Sequence, residues 1–571
     1  MTFGDDSMGQ LGQPRGARRV PLTRRAPARL HWPEPHHTER AVAIGAGRMY
    51  SGALLESGAL FLWGENTHAQ CGVAADHTPL EVAPAELSAL SLLSAVPLRV
   101  AVRGRVKAFS LGEVHTIVLT ELGEVLTFGD TSFGAVCNGT AQGAVDGPDG
   151  LSSASGVLTK CDLPLDAGED VTAVVAGGFH SLVVTSRGRV LAWGDNSHGQ
   201  LGSSRTDGFI YSLLQDAQSM ADIGDAEIDR ELDAATRVSE LVIPLYAGEQ
   251  LTRLMSRSFH TAVLTDHGRV LLWGDNAYGQ IGAEPANNSK VGDSQTNTPL
   301  GPAQGFFAVQ VGTGELHTLA LDNASQLVSF GLNTRHQLGR MRGATWDSFP
   351  DPVKLPLDRA GGEQVELIAA GAHFSAAVSS HRNLYVWGEG LLAADMKTRP
   401  SHQRILPASH TSADDVGDVD APMGGAGGHA GMQTATIATS GAATLAVSAE
   451  DDDDTEDVAI REVRLSARAV AACAGGFHFI ARLADGGKSN AKDEEAPTGR
   501  AGGALVSWGE NAASQLCRLT TDSVMEEAEP MEPQPPPAAD GATGELLIGC
   551  GAFHSLVAVP GVGVFTCGTP T

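Results

Sequence analysis

Ala176-Gly177-Gly178-Phe179-His180-Ser181-Leu182-Val183-Val184-Thr185, then Ser186-Arg187-Gly188, then Arg189-Val190-Leu191-Ala192-Trp193-Gly194-Asp195-Asn196, closing in Gly199-Gln200-Leu201-Gly202, is the stretch that decides the fold. The apolar runs on either side of Ser186-Arg187-Gly188 are short and rich in β-branched residues, so they read as the two strands of a hairpin. Gly188 sits where the turn needs a positive φ. Trp193 supplies a large apolar surface to bury, about 150–250 Å². Gly194-Asp195-Asn196 suits an Asx-type turn, and Gln-Leu-Gly opens a return segment.

The same pattern recurs outward in both directions. The His180–Trp193 separation is 13 residues, and the same separation holds for Tyr50–Trp63, His115–Phe128, His260–Trp273, His317–Phe330, Phe374–Trp387 and His554–Cys567. An eighth pair, His478–Trp508, is longer by 17 residues, accommodated in the turn around Gly487 to Gly502. Intact repeats run 57 to 65 residues between successive aromatics, enough for four strands and their loops. A four-stranded unit cannot bury both of its faces alone. Units arranged radially cover one another, so the pattern predicts an all-β propeller of four-stranded blades.

The consensus Ala-Gly-Gly-Phe-His-Ser, followed by Gly-x-Val-x-x-Trp-Gly-x-Asn-x-x-Gly-Gln-Leu-Gly, resembles the regulator-of-chromosome-condensation repeat. The resemblance covers nearly the whole chain outside its insertions. It implies a ring of seven blades as a rule, whereas eight repeat units are counted here, so seven or eight blades are expected. The chain stops at Val564-Phe565-Thr566-Cys567-Gly568, and it starts with Thr2-Phe3-Gly4-Asp5-Asp6-Ser7-Met8-Gly9-Gln10-Leu11-Gly12, the second half of a repeat. Pairing of the two terminal segments is therefore expected to close the ring and remove open sheet edges.

Residues 1–571 thus read as one propeller with insertions at 73–105, 203–245, 391–465, 487–502 and 518–544. The first holds Leu87, Leu90, Leu92 and Leu93, read as a short helix. The second is read as partly helical from Ser212 to Leu241. Residues 391–465, with the acidic run Glu450 to Asp454, read as disordered, and 487–502 and 518–544 as flexible.

The net charge is −28, so the surface on average repels nucleic acid and anionic membrane, and nucleic acid is not the expected partner. No apolar run is long enough to span a bilayer. The 7 cysteines are widely spaced with no CxxC, which argues against a disulfide framework or a zinc site and favours a reducing compartment. The expected location is the cytoplasm, with nucleus and mitochondrion as alternatives. Arg15, Arg18, Arg19, Arg24, Arg25 and Arg29 form a basic segment without acids. It reads either as a solvated loop or as a contact for an acidic protein or nucleic acid.

No HExxH, GxSxG or GxGxxG in a strand–helix setting occurs. Gly486-Gly487-Lys488-Ser489 resembles the end of a phosphate loop, but Arg482 stands where that motif needs its first glycine. His115, His180, His260, His317, His478 and His554 are spread one per blade, so they read as hydrogen-bonded braces. Tyr50 and Phe374 at the same position agree, since Phe cannot ligate a metal. Trp63, Trp193, Trp273, Trp387 and Trp508 read as core. Asp195, Asp275, Glu65 and Glu510 read as turn residues. No catalytic residue, cofactor or metal is assigned. The expected function is a non-catalytic, monomeric scaffold that presents loops to protein partners. The family resemblance implies an alternative, a guanine-nucleotide exchange factor for a Ran-like or other small GTPase.

Overall fold

The computed structural model describes residues 4–5, 23–24, 28–30, 32–33, 35–36, 38–72, 93–137, 154–202, 234–285, 297–340, 345–388, 461–465, 468–475, 478–483, 505–510, 524–530, 547–551, 554–559 and 563–568. Within them the chain forms eight antiparallel four-stranded sheets and one two-stranded pair. Blade 1 comprises Ala41–Ala46, Tyr50–Leu55, Leu60–Glu65 and Leu93–Arg99, paired in that order. Blades 2 to 7 repeat the plan with first strands Val106–Leu111, Val171–Ala176, Leu251–Arg257, Ala308–Thr313, Val365–Ala370 and Ala469–Ala474.

Blade 8 carries the seam. Leu547–Cys550, His554–Val559 and Gly563–Gly568 come from the C-terminal end, and the outer strand Ala28–Arg29 from the N-terminal end. Ala28 pairs with Thr566 and Arg29 with Phe565, and the Leu30 N–H donates to the Val564 carbonyl at 3.2 Å. Leu30 and Trp32 then bury against Leu556, Ala558 and Val564 together with Phe61 and Trp63 of blade 1. The terminal pairing expected from sequence is therefore present. The strand that completes the blade is Ala28–Arg29, while Gly4–Asp5 pairs with Thr23–Arg24.

In blades 1 to 6 the second and third strands are buried along nearly their whole length. That is why they read as continuous apolar runs instead of alternating ones. Apolar clusters lie between adjacent blades, as where Leu264 and Leu272 of blade 4 meet Val311 and Ala320 of blade 5. Two glycine positions show what the repeat demands. A Cβ on Gly177 would lie 2.2 Å from the His180 ring, and one on Gly194 (φ 112°) would lie 2.6 Å from the His180 Cα. The hairpin turns are less exacting: Ser325 (φ 63°) and Arg382 (φ 69°) take the left-handed conformation that Gly188 takes in blade 3.

Several insertion boundaries need correction. Leu93, read as part of a helix, opens the outer strand Leu93–Arg99 of blade 1, while Leu87, Leu90 and Leu92 lie outside the described residues. Arg461–Arg464 closes blade 6 inside the segment read as disordered, and Val524–Pro530 closes blade 7 inside one read as flexible. Of 203–245, residues 203–233 are outside the described set, Ala234 and Ala235 are helical, and Ser239–Leu241 is the outer strand of blade 3. Residues 487–502 lie outside it entirely.

Cysteine spacing also misled. Cys137 and Cys161 form a disulfide, as do Cys473 and Cys550, with Cα–Cα distances of 5.4 and 6.1 Å. The second joins the first strands of blades 7 and 8. Radial repetition brings together residues 77 positions apart, which linear spacing cannot reveal. Cys71 is buried and free, and burial raises its thiol pKa.

Candidate functional site

The recurrent histidines form a relay from blade to blade. His115 Nε2 meets Ser181 Oγ at 3.0 Å, His260 Nε2 meets Thr318 Oγ1 at 3.2 Å, and His317 Nε2 meets Ser375 Oγ at 2.9 Å. His478 reaches Ser555 at 2.6 Å, and His554 crosses the seam to Ser51 at 2.9 Å. His180 reaches Ser256, one strand further in, at 3.0 Å. In blade 1 the Tyr50 hydroxyl donates to the His115 carbonyl instead, at 2.6 Å.

The acceptor side of the relay fixes the tautomer. Ser181 Oγ–H donates to the Ala135 carbonyl, Thr318 to that of Gln280 and Ser375 to that of Gln337. A hydroxyl has one proton to give, so each of these oxygens receives the Nε2–H of a neutral imidazole. The six Nδ1 atoms have no hydrogen-bond partner. In His115, His260 and His317 the unpartnered Nδ1 therefore carries a lone pair, where an orphaned N–H would be the more costly arrangement. Burial lowers all six histidine pKa values, to about 4 for His115, His260 and His554 and about 3 for His180, His317 and His478. Neutral, buried and separated by a blade each, they do not converge on any substrate space.

The other repeated polar residues are similarly engaged. Trp193, Trp273 and Trp387 donate their indole N–H to the carbonyls of Ala135, Gln200 and Gln337 in the preceding blade. Trp63 is fully buried. Trp508 lies on strand Leu505–Glu510, opposite Phe479. Asp195 accepts from Ser197 and from Gln200 Nε2 (2.6 Å), and Asp275 accepts from Gln280 Nε2 (2.9 Å). Glu65 accepts from Thr67.

A second set of buried carboxylates, in three of the blades, escaped sequence reasoning. Glu169, Glu249 and Glu363 lie in the loops entering blades 3, 4 and 6 and are nearly inaccessible. Glu169 binds Arg189, and Glu249 accepts from Arg269 Nη1 at 2.6 Å while that guanidinium stacks 4.1 Å over Tyr246. Glu363 holds Ser379, Asn383 and Tyr385. The Arg189 guanidinium holds Glu169 down to about 2. Burial alone would raise Glu249, but Thr265, the Tyr246 N–H and Arg269 outweigh it and lower its pKa. The signal was present as Leu163-Pro164-Leu165-Asp166-Ala167-Gly168-Glu169 and Ile243-Pro244-Leu245-Tyr246-Ala247-Gly248-Glu249. By contrast, the Arg187–Asp166 pair (2.6 Å) is half exposed on both sides. Arg187→Ala is expected to change stability by less than about 1 kcal/mol in chemical denaturation.

Among the described residues, unrepeated charge gathers at the end of the ring where the turns between first and second strands lie. There the repeat specifies only glycines and, before the histidine, an aromatic that several blades replace, and the chain supplies charge. Arg48 faces Glu113 at 3.7 Å, and His373 faces Glu315 at 3.5 Å. Burial raises the Glu113 pKa, with Arg48 opposing it. Arg257 replaces the glycine found at this position in blades 1 to 3 and 5 to 8. It reaches across to blades 6 and 7, donating to the carbonyls of Ala370 (3.2 Å) and Gly475 (3.4 Å). Beside it, Phe133, Phe179, Phe259 and His198 form a ladder with ring centroids 4.3, 5.7 and 4.5 Å apart. Sequence reasoning missed this mouth, whose only signal is the break Ser256-Arg257-Ser258 in a Gly-rich consensus.

Of the arginine segment, Arg24 lies in the strand paired with Gly4–Asp5 and Arg29 in the seam strand. Arg15, Arg18, Arg19 and Arg25 lie outside the described residues. Among the described residues no three His, Cys, Asp or Glu side chains are grouped to hold a metal, and no helix is long and apolar enough to cross a membrane.

Comparison with known proteins places this geometry. Residues 1–394 match the profile of the RCC1-like domain. The chain is 26% identical over 335 residues to the human probable E3 ubiquitin-protein ligase HERC6, covering 58% of this chain and 26% of that protein. It is 24% identical over 351 residues to the ultraviolet-B receptor UVR8 of Arabidopsis thaliana, covering 61% and 65%. It therefore spans from about a quarter to just under two thirds of these relatives' lengths. The crystal structure of human WBSCR16 superposes with a TM-score of 0.51 at 18% identity, covering 90% of this chain and 99% of that one. The profile match covers more than half of the residues, and the chain belongs to the RCC1-like domain family.

Proposed function

We propose that this chain is a non-catalytic, monomeric scaffold that holds a protein partner at the charged mouth of the ring. One observation carries the reading: the repeated histidines, tryptophans and carboxylates brace one blade against the next, while Arg48, Glu113, Glu315 and His373 owe nothing to the repeat. Relatives with names as unlike as a ubiquitin ligase and a light receptor match over the same kind of domain. That supports the propeller as the common binding part, with activities differing around it.

The test is partner capture by proximity labelling in the native cell, repeated with Arg48→Glu/Glu315→Arg/His373→Glu. A reproducible protein set that falls at least about tenfold in the variant, as removal of central charged contacts produces, supports the reading. An unchanged set, or no set above an unrelated propeller control, contradicts it. Glu113 and Glu315 also favour a second reading, exchange on a small GTPase, since carboxylates at a mouth can compete for a nucleotide's magnesium. Faster nucleotide release from any member of a GTPase panel would replace the scaffold reading with this one.

A further inference from the structure

The two disulfides sit in opposite environments. Cys137 and Cys161 are 3% and 4% exposed, sealed in the apolar cluster between blades 2 and 3 with Val171, Val183 and Trp193. Cys473 and Cys550 are half-buried and lie on first strands, the strands that ring the axis. Thiol–disulfide exchange needs an incoming thiolate to reach a sulfur, so only the second pair is open to it.

Their placement gives the pair a consequence. Blade 8 is the blade built from both chain ends. Its N-terminal strand is held within the blade by a two-residue ladder, and blade 1 meets it through the His554–Ser51 hydrogen bond and the apolar cluster of Leu30 and Trp32 with Phe61 and Trp63. On its blade 7 side the covalent Cys473–Cys550 link stands beside the His478–Ser555 hydrogen bond. Strands 547–550, 554–559 and 563–568 thus stay fastened to blade 7 even when strand Ala28–Arg29 frays.

We infer that Cys473–Cys550 is a site of reversible exchange with small thiols that clasps the seam blade into the ring. In the first step a monothiol of the glutathione class attacks as its thiolate. Its sulfur bonds to one cysteine Sγ, and the other Sγ leaves as a thiolate and takes up a proton. A second monothiol attacks the mixed disulfide and releases the small-molecule disulfide. The net change is one protein disulfide plus two thiols to two cysteine thiols plus one external disulfide.

The test uses the full chain equilibrated in glutathione buffers of graded potential, with differential alkylation read by mass spectrometry and hydrogen exchange read strand by strand. Cys473–Cys550 is expected to open at least about ten times faster than Cys137–Cys161. Exchange over 547–568 should then rise by about a hundredfold or more, given the loop the bridge closes, with blades 3 and 4 unchanged. Cys473→Ser/Cys550→Ser should show the fast exchange under all buffers, and Cys137→Ser/Cys161→Ser should keep the redox response. Equal opening rates, free Cys473 and Cys550 thiols under oxidised glutathione, or seam exchange indifferent to reduction would each overturn the inference. The wild-type measurements alone suffice where a variant does not fold.

Discussion

Lowering the pH from 7 to 5 is expected to unfold this ring, and the histidine relay is the cause. All six relay histidines titrate near 3 or 4 in the folded chain, against 6.5 when exposed. Their pKa values are depressed, so their contribution is complete above the unfolded value and is lost as pH falls below it toward 3. Between those limits the unfolded chain binds six more protons than the folded one. At about 1.4 kcal/mol per proton per pH unit, the limiting slope is about 8 kcal/mol per unit. A typical stability of about 5–15 kcal/mol is exhausted within one or two units. The lowered carboxylates Glu169, Glu249 and Glu363 act in a lower window, below their ordinary value of 4.5. Denaturant midpoints measured from pH 7.5 to 5 check the slope. His260→Phe should reduce it by one proton's share, since Phe374 already fills that position in blade 6. A stability flat from pH 7 to 5 would contradict the neutral relay.

Trp273→Ala is expected to cost about 3–5 kcal/mol, the range for deleting a fully buried large side chain, measured by chemical denaturation. Trp273 is 0% exposed and packs with Leu182, Leu201 and Val263 across the blade 3–4 boundary. The more discriminating comparison replaces Trp by Phe. Blades 2 and 5 carry Phe128 and Phe330 here, and in them a threonine hydroxyl alone serves the preceding carbonyl, Thr116 to Gln70 and Thr318 to Gln280. In blade 3, Ser181 shares the Ala135 carbonyl with Trp193, so Trp193→Phe leaves a donor in place. In blade 4, Thr261 donates to Ser256 instead, and the Gln200 carbonyl receives the Trp273 indole N–H. Trp273→Phe should therefore cost about 1–3 kcal/mol more than Trp193→Phe, the desolvation cost of a stranded buried acceptor. Equal costs would show that this carbonyl does not depend on the indole.

The hairpins were legible because their two strands are buried together and joined by a turn of fixed length, so His180 and Trp193 keep their distance in blade after blade. Outer strands were not. Leu93–Arg99, Arg461–Arg464 and Val524–Pro530 follow connections of unequal length, and each has a single pairing partner, which weakens the apolar signal. The ring closure was readable at both ends, although not that Ala28–Arg29 would be the strand supplied. Glu169 and Glu249 look like surface acids in a Pro-Gly loop, and only the fold shows Arg189 and Arg269 arriving beneath them. The mouth was least legible of all, because Arg48, Glu113, Glu315 and His373 come from four different blades and share no motif.

One blade drawn from both ends of the chain closes the ring. Ala28→Cys/Thr566→Cys tests this most directly, since these positions are paired across the seam. The double variant, oxidised while folded, should yield a peptide linking positions 28 and 566 in most molecules and almost none when oxidised in denaturant. If the folded chain never forms that link, the two ends do not share a blade.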